Sequence, residues 1–261
     1  MGLLGETKPV KKPILGVSLY PEQESMEEIE NYLTMASRYG FTKIFTSMFS
    51  VPGTKEEVFD YFKNFCDLAH KHGMKVSGDC NTAFFKKMGA SESDISIFKE
   101  MGIDIIRMDL PYFDQRDVTL INNPYNITIE LSSCMIQAVR MALENGANPK
   151  NFSTCHNFYP ERYTASDLES ICSVNKELAN LGIPSAVFIS SNEDNTHGPW
   201  PVHDGLPTVE DHRWIPAELQ VRHWIAVGDV DEIIFGNAFA SEEEFKAIDQ
   251  VMNQAYVNIP K

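Results

Sequence analysis

The chain has 261 residues, 43% of them hydrophobic and 23% charged, which is an ordinary globular composition and enough length for one large domain. Its formal net charge of −15 argues against a general nucleic-acid-binding or anionic-membrane surface, because both require basic patches. A small anionic ligand remains compatible with this charge, since one or two local cations can bind it.

Five cysteines, an odd number without paired spacing, occur at positions 66, 80, 134, 155 and 172. They indicate reduced thiols rather than a disulfide framework. Residues 1–13 form an N-terminal extension without the apolar core of a signal peptide, and no stretch is long and apolar enough to span a membrane. We therefore expect a cytoplasmic protein that binds neither nucleic acid nor a membrane.

From residue 14 onward, one unit recurs: a helix-capping signal, an amphipathic helix, a glycine and a short apolar run. The capping signals are a Ser or Thr with a Glu three residues later, at Ser25/Glu28, Thr54/Glu57, Ser166/Glu169 and Ser241/Glu244. The glycines that we expect to end helices are Gly40, Gly73, Gly102, Gly146, Gly182 and Gly228.

Eight apolar runs are strand candidates: Ile14–Tyr20, Lys43–Ser47, Lys75–Asp79, Asp104–Asp109, Ile127–Leu131, Phe152–His156, Ser185–Ser190 and Glu232–Phe235. Eight such repeats in about 250 residues are typical of a (β/α)₈ TIM barrel. An open doubly wound sheet is the alternative, but no G-x-G-x-x-G motif follows the first strand. We therefore predict one α/β domain over 14–256, a parallel eight-stranded TIM barrel, followed by a tail over 257–261.

Two connections are unusually long, 111–126 after the fourth strand and 191–214 after the seventh. Connections of that length inside a compact fold are usually functional. We expect both to form lids or walls over a ligand site.

In a TIM barrel the reactive groups come from the carboxyl ends of the strands. Arg107 and Asp109 have the same parity on the fourth strand, and Glu130 lies at the end of the fifth. Two carboxylates in different environments are the minimum for acid/base cleavage of a glycosidic bond. We therefore predict Asp109 and Glu130 as catalytic, with Asp79 of the third strand as a further candidate. A structural ion pair between Arg107 and Asp109 is the competing interpretation.

The sixth strand ends in the run H-N-F-Y-P, which begins at His156. Imidazole, amide and phenol groups together supply donors, acceptors and flat apolar surface for a ligand. We predict that His156, Asn157 and Tyr159 bind substrate, although a turn whose polar groups satisfy the local backbone explains the stretch equally well. Cys155 does not form a nucleophile pair with His156, because neighbours on a strand point to opposite faces.

The stretch 197–214 combines prolines, an aromatic plane at Trp200 and cationic donors at His212 and Arg213. In TIM barrels the region beyond the seventh and eighth strands often binds a phosphate, and an arginine fork suits phosphate or carboxylate. We predict that all three residues bind substrate. A rigid surface loop, in which the arginine pairs with one of the two acids just before it, is the alternative.

Tyr20 and Asn237, at the ends of the first and eighth strands, complete the predicted substrate-binding set. Lys43 and Lys75 lie at strand starts rather than ends, which argues against a Schiff-base aldolase. No H-E-x-x-H motif or clustered His/Asp pattern occurs, so we predict neither a metal site nor a cofactor.

Five segments occur along the chain in this order: L-G-V-S-L-Y (15–20), G-F-T-K-I-F-T-S (40–47), I-R-M-D (106–109), H-N-F-Y-P (156–160) and G-L-P-T-V-E-D-H-R (205–213). Together they resemble the barrel domain of the 6-phospho-N-acetylmuramidase family over nearly the whole chain. The last two segments are the more specific ones.

This resemblance implies a cytoplasmic glycoside hydrolase that splits 6-phospho-N-acetylmuramic acid from N-acetylglucosamine during cell-wall recycling. The implied substrate, a small phosphorylated amino sugar, carries a phosphate and a lactyl carboxylate for Arg107, His212 and Arg213 to bind. Trp200 or Tyr159 would lie against the face of the sugar.

The chain departs from the family pattern near three strand ends. The family has a Glu shortly before H-N-F-Y-P, where this chain has Ser153 and Thr154; an Asn-rich end to the fifth strand, where it has Glu130; and an acid where it has Asn237. The family also continues into a smaller C-terminal domain, whereas this sequence stops at Lys261. Two alternatives follow: a non-catalytic sugar-phosphate-binding or regulatory barrel, and another sugar-phosphate isomerase or lyase.

Overall fold

Eight parallel strands close into a barrel in the order of the chain, with the last strand paired to the first. The computed structural model describes residues 12–255, so most of the predicted N-terminal extension and all of the predicted tail lie outside the described residues. The strands are β1 Ile14–Leu19, β2 Phe41–Ser47, β3 Lys75–Cys80, β4 Ile105–Met108, β5 Thr128–Ser132, β6 Phe152–Cys155, β7 Ser185–Ile189 and β8 Glu232–Phe235. Each lies within two residues of its predicted bounds, which confirms the TIM barrel.

Helices alternate with these strands: α1 Met26–Arg38, α2 Lys55–Lys71, α3 Thr82–Met88, α4 Ser96–Met101, α5 Gln115–Ile121, α6 Ile136–Glu144, α7 Leu168–Leu181, α8 Ala217–Val227 and α9 Glu242–Ala255. Their buried faces pack on the outside of the sheet and form the larger hydrophobic core. Over residues 12–255, no helix has the length and apolar character needed to cross a membrane.

The helix starts follow three of the four predicted capping boxes. Ser25 and Thr54 each exchange hydrogen bonds with the glutamate three residues on, and Ser241 does the same ahead of α9. The box predicted at Ser166 is wrong, because α7 begins one residue later with Asp167 as its N-cap. All six glycines predicted to end helices have positive φ, the conformation that favours glycine.

The two long connections differ in structure. The segment 111–126 contains α5, so it is a partly helical connection rather than one long loop. The segment 191–214 contains no α-helix and only a 3₁₀ turn at Glu210–His212, so it forms the long loop that was expected.

The barrel interior has an apolar layer above a charged one. Phe45, Cys155, Phe188 and their neighbours form a small hydrophobic cluster of their own. Toward the amino ends of the strands, Lys43 Nζ contacts carboxylate oxygens of Glu130 and Glu232 at 2.8 and 2.5 Å. An apolar layer therefore separates this ion-pair network from the carboxyl ends of the strands.

Candidate active site

A pocket of about 260 Å³ opens at the carboxyl ends of the strands. This volume lies near the lower end of the range for small-molecule sites, about 300–1,000 Å³. Its walls come from the ends of β2, β3, β4, β6 and β7 and from the long loop after β7. The lining residues are Phe45, Phe49, Asp79, Arg107, Asp109, Asn157, Phe158, Tyr159, Phe188 and Trp200.

Arg107 is the centre of the polar half of the pocket. Its Nη1 donates to Asp79 Oδ1 at 2.7 Å, and its Nη2 donates to Asn157 Oδ1 at 2.6 Å. The guanidinium also lies over the Phe45 ring, with its central carbon 5.9 Å from the ring centroid. Its Nε is buried without a hydrogen-bond partner in the described part of the chain. These contacts hold the cation in one orientation toward the pocket.

Asp79 and Asp109 are the carboxylates of the pocket, and their environments differ. Burial raises the pKa of Asp79, while the ion pair with Arg107 opposes that rise and the nearby Asp109 charge adds to it. Asp109 is exposed at the end of the adjacent strand. A carboxyl group with a raised pKa beside a solvated carboxylate is the arrangement used by general acid/base hydrolases.

The other half of the pocket is aromatic. Phe45, Phe158 and Phe188 pack edge to face, with centroid distances of 4.8 to 5.8 Å. Trp200 lies 6.0 Å from Phe158 and is 47% exposed, and Phe49 is 43% exposed. Exposed aromatic faces beside fixed polar groups suit a ligand with one apolar and one polar side, such as a pyranose ring.

The structure brings together six of the twelve predicted site residues: Asp79, Arg107, Asp109, Asn157, Tyr159 and Trp200. Sequence reasoning missed the phenylalanines of the pocket. Strand parity could have found two of them, since Phe45 and Phe188 lie two residues before the strand-end residues Ser47 and Ser190 and so point to the same face of the sheet.

Glu130 does not line the pocket, contrary to the prediction. Its side chain is fully buried and ion-paired to Lys43, with Ser77 Oγ at 3.3 Å and Ser153 Oγ at 3.4 Å. Asp79 lies where we expected the second carboxylate. The contacts of Glu130 are those of a structural ion pair inside the barrel.

His156 points away from the pocket, toward α7. Its Nε2 forms a 2.7 Å hydrogen bond with Asn175 Oδ1, and the residue is 2% exposed. Burial lowers the pKa of His156 to about 4, so the imidazole is neutral near pH 7. This residue joins the sheet to a helix and does not reach a ligand in the pocket.

Arg213 and His212 are also absent from the pocket lining. Arg213 forms a fork with Glu210 at 2.7 and 2.9 Å, and its Nη1 donates to the carbonyl oxygens of Tyr159 and Asp204. This is the arginine–acid pairing that was the alternative to a phosphate site. His212 is buried, and its Nε2 bonds to His223 at 2.9 Å.

Tyr20 and Asn237 are buried and form hydrogen bonds around the pocket rather than lining it. The Tyr20 hydroxyl donates to the Gly236 carbonyl oxygen at 2.5 Å. Asn237 accepts from the Ser191 backbone N–H at 2.9 Å and donates to Thr196 Oγ1 at 2.8 Å, both at the start of the long loop. These residues support the walls of the pocket.

Comparison with known proteins adds two findings. A family model described as "6-phospho-N-acetylmuramidase, N-terminal" matches residues 15–250. The chain is also similar to a solved, uncharacterised protein of B. cereus, at 36% identity and a TM-score of 0.81, over 91% of this chain and 65% of that one. No curated protein matches the chain.

More distant solved structures support the fold alone. A conserved Enterococcus faecalis protein of unknown function has 22% identity and a TM-score of 0.79, over 92% of this chain and 65% of its own. A phospho-2-dehydro-3-deoxyheptonate aldolase from Thermotoga maritima has 17% identity and a TM-score of 0.57, over 96% of this chain and 72% of its own. The chain thus spans 65% of the length of the first two relatives.

Proposed function

We propose that this chain, which belongs to the 6-phospho-N-acetylmuramidase N-terminal family, is the barrel of a glycosidase. The proposed reaction is hydrolysis of the bond between 6-phospho-N-acetylmuramic acid and N-acetylglucosamine, in the cytoplasm, during recycling of the cell wall. The observation that carries the proposal is the pair of unlike carboxyl groups, Asp79 and Asp109, at the ends of adjacent strands in one pocket.

In this proposal Asp79 is the general acid. Burial raises its pKa, which is the direction that a general acid requires, and its Oδ1 accepts from Arg107, which leaves Oδ2 to donate a proton to the leaving-group oxygen. Asp109, more solvated, is the carboxylate that acts as base or nucleophile on the other side of the bond.

Arg107 is the cation among the described lining residues, so we assign it to an anionic group of the substrate. A phosphate or lactyl carboxylate bound there would add negative charge next to Asp79. Negative charge disfavours ionisation of a neighbouring carboxyl group, so substrate binding would itself favour the protonated acid. The aromatic half of the pocket, including Trp200 and Tyr159, would pack against the sugar ring.

The test is cleavage of the phosphorylated muramyl disaccharide, followed by mass spectrometry of the products. We expect Asp109→Asn and Asp79→Asn each to lower kcat by about 10²- to 10⁴-fold, the usual contribution of a positioned acid or base. Asp60→Asn, a change at an exposed acid on α2, is the matched control and should leave the rate unchanged.

Wild-type rates in Asp109→Asn would reject the catalytic assignment. A thermal shift of the wild-type protein with the phosphosugar but no product would replace the hydrolase with the sugar-phosphate-binding alternative.

A further inference from the structure

The loop that carries Trp200 to the pocket is held by the connection between β1 and α1. Gln23 Nε2 donates to the carbonyl oxygen of Gly198 at 2.6 Å. The next residue, Glu24, forms a 2.6 Å hydrogen bond with His197 Nε2 through its Oε1. Two consecutive residues of one connection therefore bind two consecutive residues of the other.

The Glu24 carboxylate is unusually buried for a residue that directly precedes the N-cap of a helix. Its side chain is only 2% exposed, and its Oε2 is buried without a hydrogen-bond partner in the described chain. Burial raises the pKa of Glu24, and the bond to His197 opposes that rise. The cap of α1 does not need this carboxylate, because Ser25 and Glu28 already form the capping box. A buried carboxylate is costly. Glu24 Oε1 accepts from the Tyr20 backbone N–H at 3.3 Å, within its own connection, and makes its shorter contact, at 2.6 Å, to His197 of the long loop.

His197 is fixed from its other sides as well. Its ring packs 6.4 Å from that of Tyr20 and 5.6 Å from that of Phe239, and its carbonyl oxygen accepts from the Ala238 backbone at 2.8 Å. The connections that follow β1 and β8 thus both contact His197 and fix its position.

The chain between His197 and Trp200 has little conformational freedom. A Cβ atom at Gly198 would lie 2.7 Å from side-chain atoms of both Leu206 and Val202, so the chain is packed tightly there. Trp200 follows two residues later and lies against Phe158 at the pocket. The place of the indole is therefore set by where residues 197 and 198 are held.

We propose that Gln23 and Glu24 are positioning residues, which hold the Trp200 indole at the pocket and so set the affinity for the ring that packs on it. They act through His197 and Gly198 and do not themselves touch the ligand. The identity of that ring, a phosphorylated amino sugar, rests on the proposed function, whereas the placement of Trp200 does not.

Kinetics on the phosphorylated disaccharide give the first test. We expect Glu24→Ala and Gln23→Ala each to raise KM by about three- to tenfold, the range set by an aromatic contact, with kcat within about twofold of wild type. Glu27→Ala, a change at an exposed glutamate in the first turn of α1, is the matched control. The double variant Glu24→Ala/His197→Ala should be no worse than His197→Ala alone, because His197→Ala already removes the contact to Glu24.

Fluorescence gives a second test that needs no turnover. The chain has three tryptophans, and Trp224 is 1% exposed, so in a Trp214→Phe background the indole that acrylamide can quench is Trp200. We expect Glu24→Ala to increase that quenching and Glu27→Ala to leave it unchanged. Gln23→Ala, which alters an exposed side chain, serves in place of Glu24→Ala should the latter not fold.

Unchanged quenching and unchanged KM in folded Glu24→Ala or Gln23→Ala would overturn the proposal, as would strictly additive KM effects in the double variant. Increased quenching in a protein that turns over no disaccharide would support the positioning role while rejecting the glycosidase.

Discussion

Glu130 and Asp79 are both carboxylates on the inward faces of strands, yet only Asp79 reaches the pocket. Asp79, Arg107 and Glu130 are register partners on three successive strands. Asp79 faces Arg107 at the pocket, whereas the Glu130 carboxylate meets the ammonium of Lys43, which reaches it from the amino-terminal side of the barrel. Strand parity predicts the face of a side chain but not the direction in which it extends along the barrel axis.

This difference predicts how Glu130→Gln behaves. Removing Glu130 leaves the buried Lys43 ammonium with one fewer counter-charge. Breaking a buried ion pair costs about 3–5 kcal/mol. We expect the free energy of unfolding to fall by about 3 kcal/mol, because Glu232 still pairs with Lys43. Folded Glu130→Gln should keep its kcat on the disaccharide. Urea denaturation and kinetics on the same sample measure both, with the exposed Glu144→Gln as control.

Loss of kcat in Glu130→Gln with an unchanged free energy of unfolding would contradict the structural role and return this residue to the catalytic set.

At the scale of elements, the start of α7 shows two local signals in competition. The sequence S-D-L-E predicts Ser166 with Glu169 as a capping box, whereas the N-cap in the structure is the next residue, Asp167. The backbone of Ser166 instead pairs with the long loop, donating to the Thr208 carbonyl at 3.2 Å and accepting from Glu210 N–H at 3.0 Å. This pairing keeps Ser166 outside the helix, so Asp167 caps it by accepting from Ser170 N–H at 2.8 Å.

We therefore expect Asp167→Ala to lower the free energy of unfolding by about 1 kcal/mol, the usual value of an N-cap. Ser166→Ala should cost clearly less, because its side chain makes no capping bond. Urea denaturation of the two variants side by side decides between them. The reverse order of effects would mean that Ser166 is the functional cap after all.

For the whole molecule, two buried histidines make stability depend on pH. Burial lowers the pKa of His156 to about 4 and that of His212 to about 3, against an ordinary value of 6.5. As pH falls, the unfolded chain binds these protons first. The contribution of the two neutral imidazoles to the free energy of unfolding is therefore fully present above about pH 6.5 and is lost as the pH falls from there toward 4. For His156 this loss is about 3 kcal/mol.

The variant His156→Gln isolates this effect from the other titrating groups. We expect it to be less stable than wild type at pH 7, and the gap in the free energy of unfolding to narrow by about 2–3 kcal/mol by pH 4. Urea midpoints at pH 7, 6, 5 and 4 measure the gap, and His203→Gln, at an exposed imidazole, is the control. A gap that stays constant would show that His156 carries no such linkage.

The sequence by itself determined the barrel, because its signals are local. Capping boxes, helix-ending glycines and apolar runs each act within a few residues, and eight repeats of them leave one closed parallel arrangement. The tertiary structure alone decided which polar residues share the pocket. His156 bonds to Asn175, Arg213 to the Tyr159 carbonyl oxygen, and Glu130 to Lys43. Each of these partners lies on another element, and no local sequence pattern shows which side chain will find such a partner.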